Sequence, residues 1–171
     1  MPGSPATEPP VRVELHDGPR DELRALFEEA EDSAAQLDAY MNDGDVLVAV
    51  AGDRAVGHLQ LVDDPGDPAC SELKNMAVEP ALRGRGIGAL LVRAAIERVR
   101  SQGRATLLVA TAAADVANLR FYQRAGFRIR SVERDAFTPA TGYPPGIVID
   151  GIELRDRVWL DLDLGVRPRP S

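Results

Sequence analysis

The stretch RGRGIGA, Arg83–Ala89, joins two segments with different patterns. It follows LKNMAV (Leu73–Val78), which is typical of a strand, and precedes LLVRAAIERVR (Leu90–Arg100), whose apolar residues recur at helical spacing. The first amides of a helix are unpaired donors at the positive end of its dipole, and glycine lets a ligand approach them closely. The stretch therefore predicts either a main-chain site for a di- or triphosphate-like anion or a tight turn with close helix–sheet packing.

The composition is typical of one globular domain. The chain has 171 residues, of which 44% are hydrophobic and 27% are charged. No apolar run approaches the about 20 residues that span a bilayer. The start, MPGSPATEPP, lacks the basic and apolar regions of a signal peptide. With Cys70 as the single cysteine, we expect neither an intrachain disulfide nor a cysteine-rich metal cluster. We therefore expect a cytoplasmic protein without a membrane partner.

The charge distribution favours a small anion over a nucleic acid as the ligand. The net charge is −7, which disfavours binding to a phosphate backbone. Lysine and arginine are nevertheless grouped between Lys74 and Arg104, around the glycine-rich stretch. An acidic protein with a local basic region predicts a site for a small anion and no nucleic-acid partner.

Periodicity and turn residues predict the element order β-α-α-β-β-β-α-β-α-β-β. Hairpins dominate the first half and strand–helix–strand units the second. We therefore expect a single α/β domain with a mixed, mostly antiparallel central sheet and helices on both faces. The domain spans residues 11–164, between a proline-rich tail (1–10) that we expect to be disordered and a C-terminal tail (165–171). The predicted strands are Val11–Leu15, Val46–Val50, Ala55–Val62, Glu72–Val78, Ala105–Ala110, Phe127–Arg134 and Arg157–Leu164, and the predicted helices are Pro19–Ala30, Ser33–Tyr40, Ile87–Ser101 and a segment between Asp115 and Gly126.

Two common phosphate-binding motifs do not fit the surrounding sequence. Residues 84–89 match the dinucleotide pattern G-x-G-x-x-[G/A], but EPALR separates them from the strand. The next strand also lacks the terminal acidic residue that holds a ribose. No Gly-Lys-Ser/Thr follows, so the pattern of P-loop nucleotide-binding proteins is missing as well. A nucleotide-dependent oxidoreductase is therefore disfavoured.

A third pattern, R-x-x-G-x-G, is formed by Arg83, Gly86 and Gly88 after a strand that ends in MAV. Downstream, ANLRFYQRAGFRI (Ala117–Ile129) contains an Asn and a Tyr before a Gly-Phe pair. In this order and separation, the two motifs resemble the signatures of the GNAT superfamily of N-acetyltransferases, over Val11 to Leu164. The resemblance implies a GNAT-like fold and direct transfer of an acetyl group from acetyl-coenzyme A to a primary amine of a small molecule or protein. It implies no metal.

The resemblance also implies where acetyl-coenzyme A binds. An extended amide chain can add to a sheet edge as a peptide strand does, and the pantetheine arm is expected to do so along the strand that ends at Val78. The pyrophosphate is expected on the amides of the glycine-rich stretch. The implied cofactor-binding residues are Met76, Ala77, Val78, Arg83, Gly84, Arg85, Gly86, Ile87, Gly88 and Asn118.

Two residues are the implied catalytic groups. Tyr122 matches the family tyrosine that donates a proton to the coenzyme A sulfur. Glu72 begins the central strand, where a number of family members have a carboxylate that removes the amine proton; His58 and water are the alternatives. Cys70 is not expected to be a nucleophile, because no His–Asp or His–Asn arrangement accompanies it. A module that binds acyl-coenzyme A without turnover is the alternative function.

The segment Phe137–Leu160 resembles a subset of bacterial-type family members with a Pro-rich loop, a Gly-Ile pair and an Arg-Asp pair. The loop Thr138–Gly146 either contacts the acceptor or serves as a plain connector. The identity of the amine, the acyl chain and a homodimer through the C-terminal strands stay open. The residues implied at the acceptor site are Phe137, Tyr143, Arg155 and Asp156.

Overall fold

The computed structural model describes residues 9–165, so most of both predicted tails lies outside the described residues. Within that range no helix is long and apolar enough to cross a membrane. The strands are β1 (Val11–Leu15), β2 (Asp45–Ala51), β3 (Arg54–Asp63), β4 (Cys70–Val78), β5 (Thr106–Ala112), β6 (Arg128–Glu133), β7 (Val148–Ile149), β8 (Ile152–Glu153) and β9 (Arg157–Asp163), and the helices are α1 (Arg24–Glu28), α2 (Ala34–Tyr40), α3 (Ile87–Ser101) and α4 (Val116–Arg124).

Seven strands form one sheet in the order β1-β2-β3-β4-β5-β9-β6. Only β4 and β5 run parallel; every other neighbouring pair is antiparallel. The predicted mixed, mostly antiparallel sheet is therefore confirmed. The parallel pair is joined by α3, as a parallel connection requires a crossover.

Alternate side chains of β2 belong to two different hydrophobic cores, one on each face of the sheet. Leu47 and Ala49 pack in a cluster with residues of α3 such as Leu91, whereas Val46 and Val48 pack in a second cluster with α1 and α2. Because neighbouring side chains of a strand point to opposite faces, these helices cover opposite faces of the sheet. Helix α3 begins and ends as predicted, and Asp115 caps α4 by accepting a hydrogen bond from the amide of Asn118 (2.9 Å).

The sheet opens between β4 and β5. Their pairing covers only Cys70–Leu73 and Thr106–Val109, although both strands continue further. At the same point β4 carries a bulge, because Gln60 pairs with Asn75 while Leu61 pairs with Leu73. Beyond the bulge, β4 stays bonded to β3 but leaves its other edge without a strand partner. This gap faces the N-terminus of α3.

Two local predictions were incomplete. The helix expected over Pro19–Ala30 is a 3-10 turn, Arg20–Leu23, followed by the short α1. The small hairpin β7–β8 was not predicted, although Asp150 and Gly151, both with positive φ, form the Asp-Gly turn that favours a two-residue hairpin.

Candidate active site

The glycine-rich stretch presents bare main-chain amides at the start of α3. Gly86 precedes the helix with φ of 83° and no side-chain cap, and the first helical bond runs from the Leu90 amide to the Gly86 carbonyl. The amides of Ile87, Gly88 and Ala89 therefore have no helical acceptor. Gly84 also has a positive φ, and a Cβ at Gly84 or Gly86 would meet no atom within 4 Å. These two glycines serve the backbone conformation and leave open space for a ligand.

Gly88 differs from Gly84 and Gly86 in its surroundings. A Cβ at this position would lie 3.4 Å from the Phe121 ring of α4, which is ordinary contact distance. The Phe121 ring thus packs over Gly88 beside the anion site, at a distance that would accommodate a Cβ. The tight turn, which the sequence left as part of the alternative to anion binding, occurs here together with the open amides.

The gap in the sheet exposes the backbone of β4 at alternate residues. The amide of Glu79 donates to the carbonyl of Val56 (2.9 Å), so the groups of Ala77, two residues earlier, also point to β3. The N–H and C=O groups of Met76 and Val78 then face the gap. Ala77 lines the cleft without presenting its backbone groups there. The cleft has a volume of about 620 Å³ and continues from β4 to the glycine-rich stretch.

The Arg83 side chain is bonded within the protein. Its Nε donates to the Val78 carbonyl (3.1 Å), and its guanidinium pairs with Glu29 (3.0 Å). Arg83 thus ties the glycine-rich stretch to the end of β4, and its charge is shared with Glu29. Arg85 is exposed beside Gly86. A phosphate contact by either side chain stays a prediction.

Tyr122 lies on α4 and lines a second cleft that joins the first. Its ring is 5% exposed and packs edge-on against Phe121 and Phe127. Burial raises the pKa of Tyr122 above its usual range, so the phenol stays protonated at neutral pH. Asn118, one turn earlier, lines both clefts. A residue with a protonated phenol therefore lines the second cleft, one helical turn from Asn118, which lines both clefts.

Glu72 lines the same second cleft, which has a volume of about 210 Å³. Burial raises the pKa of this carboxyl, while Lys74, 3.6 Å away, lowers it in part. The Lys74 ammonium also lies over the Tyr40 ring at 5.1 Å. A carboxylate with a raised pKa is better suited to accept a proton than an exposed one.

The two other titratable candidates lie elsewhere. His58 is fully buried against the Phe27 ring, and desolvation lowers its pKa to about 4. His58 lines neither cleft, whereas Glu72 does. Cys70 donates to Asp67 (3.2 Å), and burial raises the pKa of its thiol. A reactive thiolate is therefore disfavoured, as expected.

The C-terminal segment contributes two of its four implied acceptor residues. Phe137 and Tyr143 line the second cleft and pack edge-on with ring centroids 4.9 Å apart. Arg155 instead pairs with Asp135 (2.6 Å), and the Asp156 carboxylate accepts from the Asp135 amide. This pair holds the loop that carries Phe137. The predicted acceptor contact by Arg155 and Asp156 has no support in this geometry.

Several residues of the second cleft were not predicted from the sequence. Arg157 lies over the rings of Phe137 and Trp159, at 4.9 and 6.0 Å, and pairs with Glu133. These contacts join distant parts of the chain, and no local motif signals them. An alternating strand that ends the domain was the only available hint. The unpredicted lining residues include Glu31, Asp32, Tyr40, Lys74, Asn75, Arg157 and Trp159.

The comparisons with known proteins agree with this geometry. Residues 12–127 match the model of the acetyltransferase (GNAT) family. The chain belongs to this family. The GNAT protein is 35% identical over 154 residues to the uncharacterised N-acetyltransferase YvbK of Bacillus subtilis (strain 168), across 90% of this chain and 97% of that one. The predicted family, fold class and acetyltransferase activity are confirmed.

Solved structures give the same assignment. A Bacillus subtilis acetyltransferase in complex with CoA has a TM-score of 0.81 and 34% identity, over 90% of this chain and 99% of that one. A GNAT family acetyltransferase from Elizabethkingia anophelis with acetyl-CoA bound has a TM-score of 0.80 and 26% identity, over 90% and 97%. Among residues 9–165 of the GNAT protein, no three His, Cys, Asp or Glu side chains gather as a metal site.

Proposed function

We propose that this GNAT acetyltransferase moves the acetyl group of acetyl-coenzyme A directly to a primary amine. The observation that supports this proposal is the continuity of three features. The bare amides of Ile87–Ala89 suit the pyrophosphate, the open edge at Met76 and Val78 suits an amide-bearing arm, and the cleft that holds Tyr122 and Glu72 begins where that edge ends.

The reaction assigns one task to each group. The Glu72 carboxylate takes a proton from the ammonium group of the acceptor. The free amine then attacks the carbonyl carbon of the thioester, while the Met76 amide donates a hydrogen bond to the carbonyl oxygen. The C–N bond forms as the C–S bond breaks. The Tyr122 phenol gives its proton to the leaving sulfur, the second proton of the nitrogen restores the phenol as the amide forms, and Glu72 releases its proton to water. The products are the acetylated amine, coenzyme A and one released proton.

The second cleft is the proposed acceptor site. Its walls combine aromatic rings, among them Tyr40, Phe137 and Trp159, with the carboxylates Glu31 and Asp32. Rings offer apolar contact to the body of an amine, and carboxylates favour its positive charge. We propose an amine of a small molecule or a protein as the acceptor. The cytoplasmic location, the homodimer and the absence of a nucleic-acid partner stay predictions.

Thiol release with acetyl-coenzyme A and a panel of primary amines tests the proposal. We expect turnover with at least one amine, and Tyr122→Phe should lower kcat by about a hundredfold or more while coenzyme A still binds. Tyr143→Phe is the matched control, because it removes another hydroxyl from the same cleft; it should act mainly on KM for the amine. Coenzyme A binding without turnover of any amine would instead support a non-catalytic binding module.

A further inference from the structure

A buried polar cluster connects the opening of the sheet to α1 and α2. It consists of His58, Gln60 and Asn75, whose side chains are 0 to 4% exposed, together with the hydroxyl of Tyr40. Polar groups are costly to bury, and the chemistry above gives this cluster no role. Its position at the bulge of β4 suggests one.

The Asn75 side chain makes three hydrogen bonds to three different elements. Its oxygen accepts from Nε2 of His58 on β3 (2.8 Å). Its nitrogen donates to the Tyr40 hydroxyl of α2 (2.9 Å) and to the Phe27 carbonyl of α1 (3.3 Å). The Tyr40 hydroxyl in turn donates to Glu31 in the acceptor cleft (3.1 Å). Asn75 is therefore held on several sides and linked to the acceptor wall.

The peptide bond between Asn75 and Met76 contains the N–H group that is proposed to bind the thioester carbonyl. In a trans peptide the C=O and the following N–H point in opposite directions. The alternation of the β3–β4 pairing directs the Asn75 carbonyl to Gln60, so the Met76 N–H faces the gap. Asn75 comes directly after the bulged residue Lys74, where regular pairing alone fixes the chain least. Its side-chain bonds replace that missing constraint.

We propose that Asn75 is a positioning residue that aims the Met76 amide at the thioester carbonyl. This inference rests on the proposed function, since it assumes that acetyl-coenzyme A occupies the gap. Without the Asn75 side-chain bonds, only the ladder pairing with Gln60 beside the bulge holds the Asn75–Met76 peptide, and the peptide can tilt. The donor is then misdirected, although the pyrophosphate site on α3 is left intact.

Gln60 provides a matched control on the facing strand. It is the register partner of Asn75, it is equally buried, and its side chain donates to the carbonyls of Tyr40 and Asp43. The Gln60 side chain thus ties the same helix to the sheet without bonding Asn75, while the backbone pairing of Gln60 with Asn75 does not depend on that side chain. Gln60→Met and Asn75→Leu each replace a buried amide by an apolar side chain of similar size.

Infrared spectroscopy of bound acetyl-coenzyme A, labelled with ¹³C at the acetyl carbonyl, tests the proposal without an acceptor. In the natural protein the Met76 amide should move the carbonyl band below that of the free thioester. Asn75→Leu should lose more than half of this shift and lower kcat by about tenfold or more, with KM for acetyl-coenzyme A changed less. Gln60→Met should keep the shift.

An unchanged band in folded Asn75→Leu would overturn the proposal, and so would an equal loss in Gln60→Met. If Asn75→Leu does not fold, Tyr40→Phe removes only the hydroxyl that binds Asn75 and should lose part of the shift; an unchanged band there would likewise overturn it. If acetyl-coenzyme A binds to no variant and not to the natural protein, the proposed function itself fails, which distinguishes the two failures.

Discussion

Acidification should destabilise the fold through His58. The imidazole is fully buried against the Phe27 ring, and its pKa is lowered to about 4, whereas an unfolded histidine titrates near 6.5. The unfolded state therefore binds a proton at a pH where the folded state does not. The stabilising contribution of neutral His58 is complete above pH 6.5 and is lost as the pH falls toward 4.

The size of the effect follows from the two pKa values. They differ by about 2.5, which corresponds to about 3 kcal/mol over the whole range. Between pH 7 and pH 5 the loss is about 2 kcal/mol. That is a substantial part of the about 5 to 15 kcal/mol by which domains of this kind are stable.

Urea unfolding at pH 7 and pH 5 measures this loss. Carboxylates also respond to acid, so the informative quantity is the difference between the natural protein and His58→Leu, which should lose about 2 kcal/mol less over this interval. His16→Gln is the control, because His16 is the other histidine of the chain and is only partly buried. Equal pH dependence in all three proteins, or an NMR titration of His58 near 6.5, would refute the reasoning.

Two further predictions concern the site. Because burial raises the pKa of Glu72, the acid limb of the pH–rate profile should lie above pH 4.5. Glu72→Gln should abolish that limb and lower kcat by about a hundredfold. An unaltered limb in the variant would exclude Glu72 as the base. Gly86→Ala should strain the positive-φ residue by about 1 kcal/mol, and relief of this strain moves the amides of the stretch away from the phosphate, so Kd for coenzyme A should rise about fivefold. Calorimetry checks this against Gly103→Ala, an equally open positive-φ glycine at the other end of α3, which should leave Kd unchanged.

Local signals in the sequence were sufficient for much of the fold. Helix α3 was predicted with its observed bounds because a glycine-rich entry, an amphipathic face and Gly103 delimit it. The N-cap Asp115 likewise located α4. The β7–β8 hairpin carried its own signal in Asp150 and Gly151 but was too short to stand out within a loop. Periodicity over Pro19–Ala30 did not reveal that a 3-10 turn precedes α1.

The site was predictable where motifs carry it and not where distant segments meet. The glycine-rich stretch was identified from local context, whereas Tyr122 and Glu72 came from the resemblance to the GNAT superfamily; these two residues line one cleft. The bulge at Lys74 depends on how β3 pairs with β4, which no local pattern specifies. The side-chain contacts of Asn75 were not predictable for the same reason, because they join three elements that are distant in the sequence. Arg155 was predicted at the acceptor site, but it forms an ion pair with Asp135, a contact that depends on the tertiary structure.

A crystal structure of the protein with acetyl-coenzyme A would show directly whether the glycine-rich stretch and the gap between β4 and β5 bind the cofactor. We expect pyrophosphate oxygens within hydrogen-bond distance of the Ile87 and Gly88 amides, and a pantetheine arm bonded to the backbone of Met76 and Val78 in the gap between β4 and β5. A cofactor bound at another surface, or an arm that bypasses this gap, would show that these backbone groups do not form the acetyl-coenzyme A site.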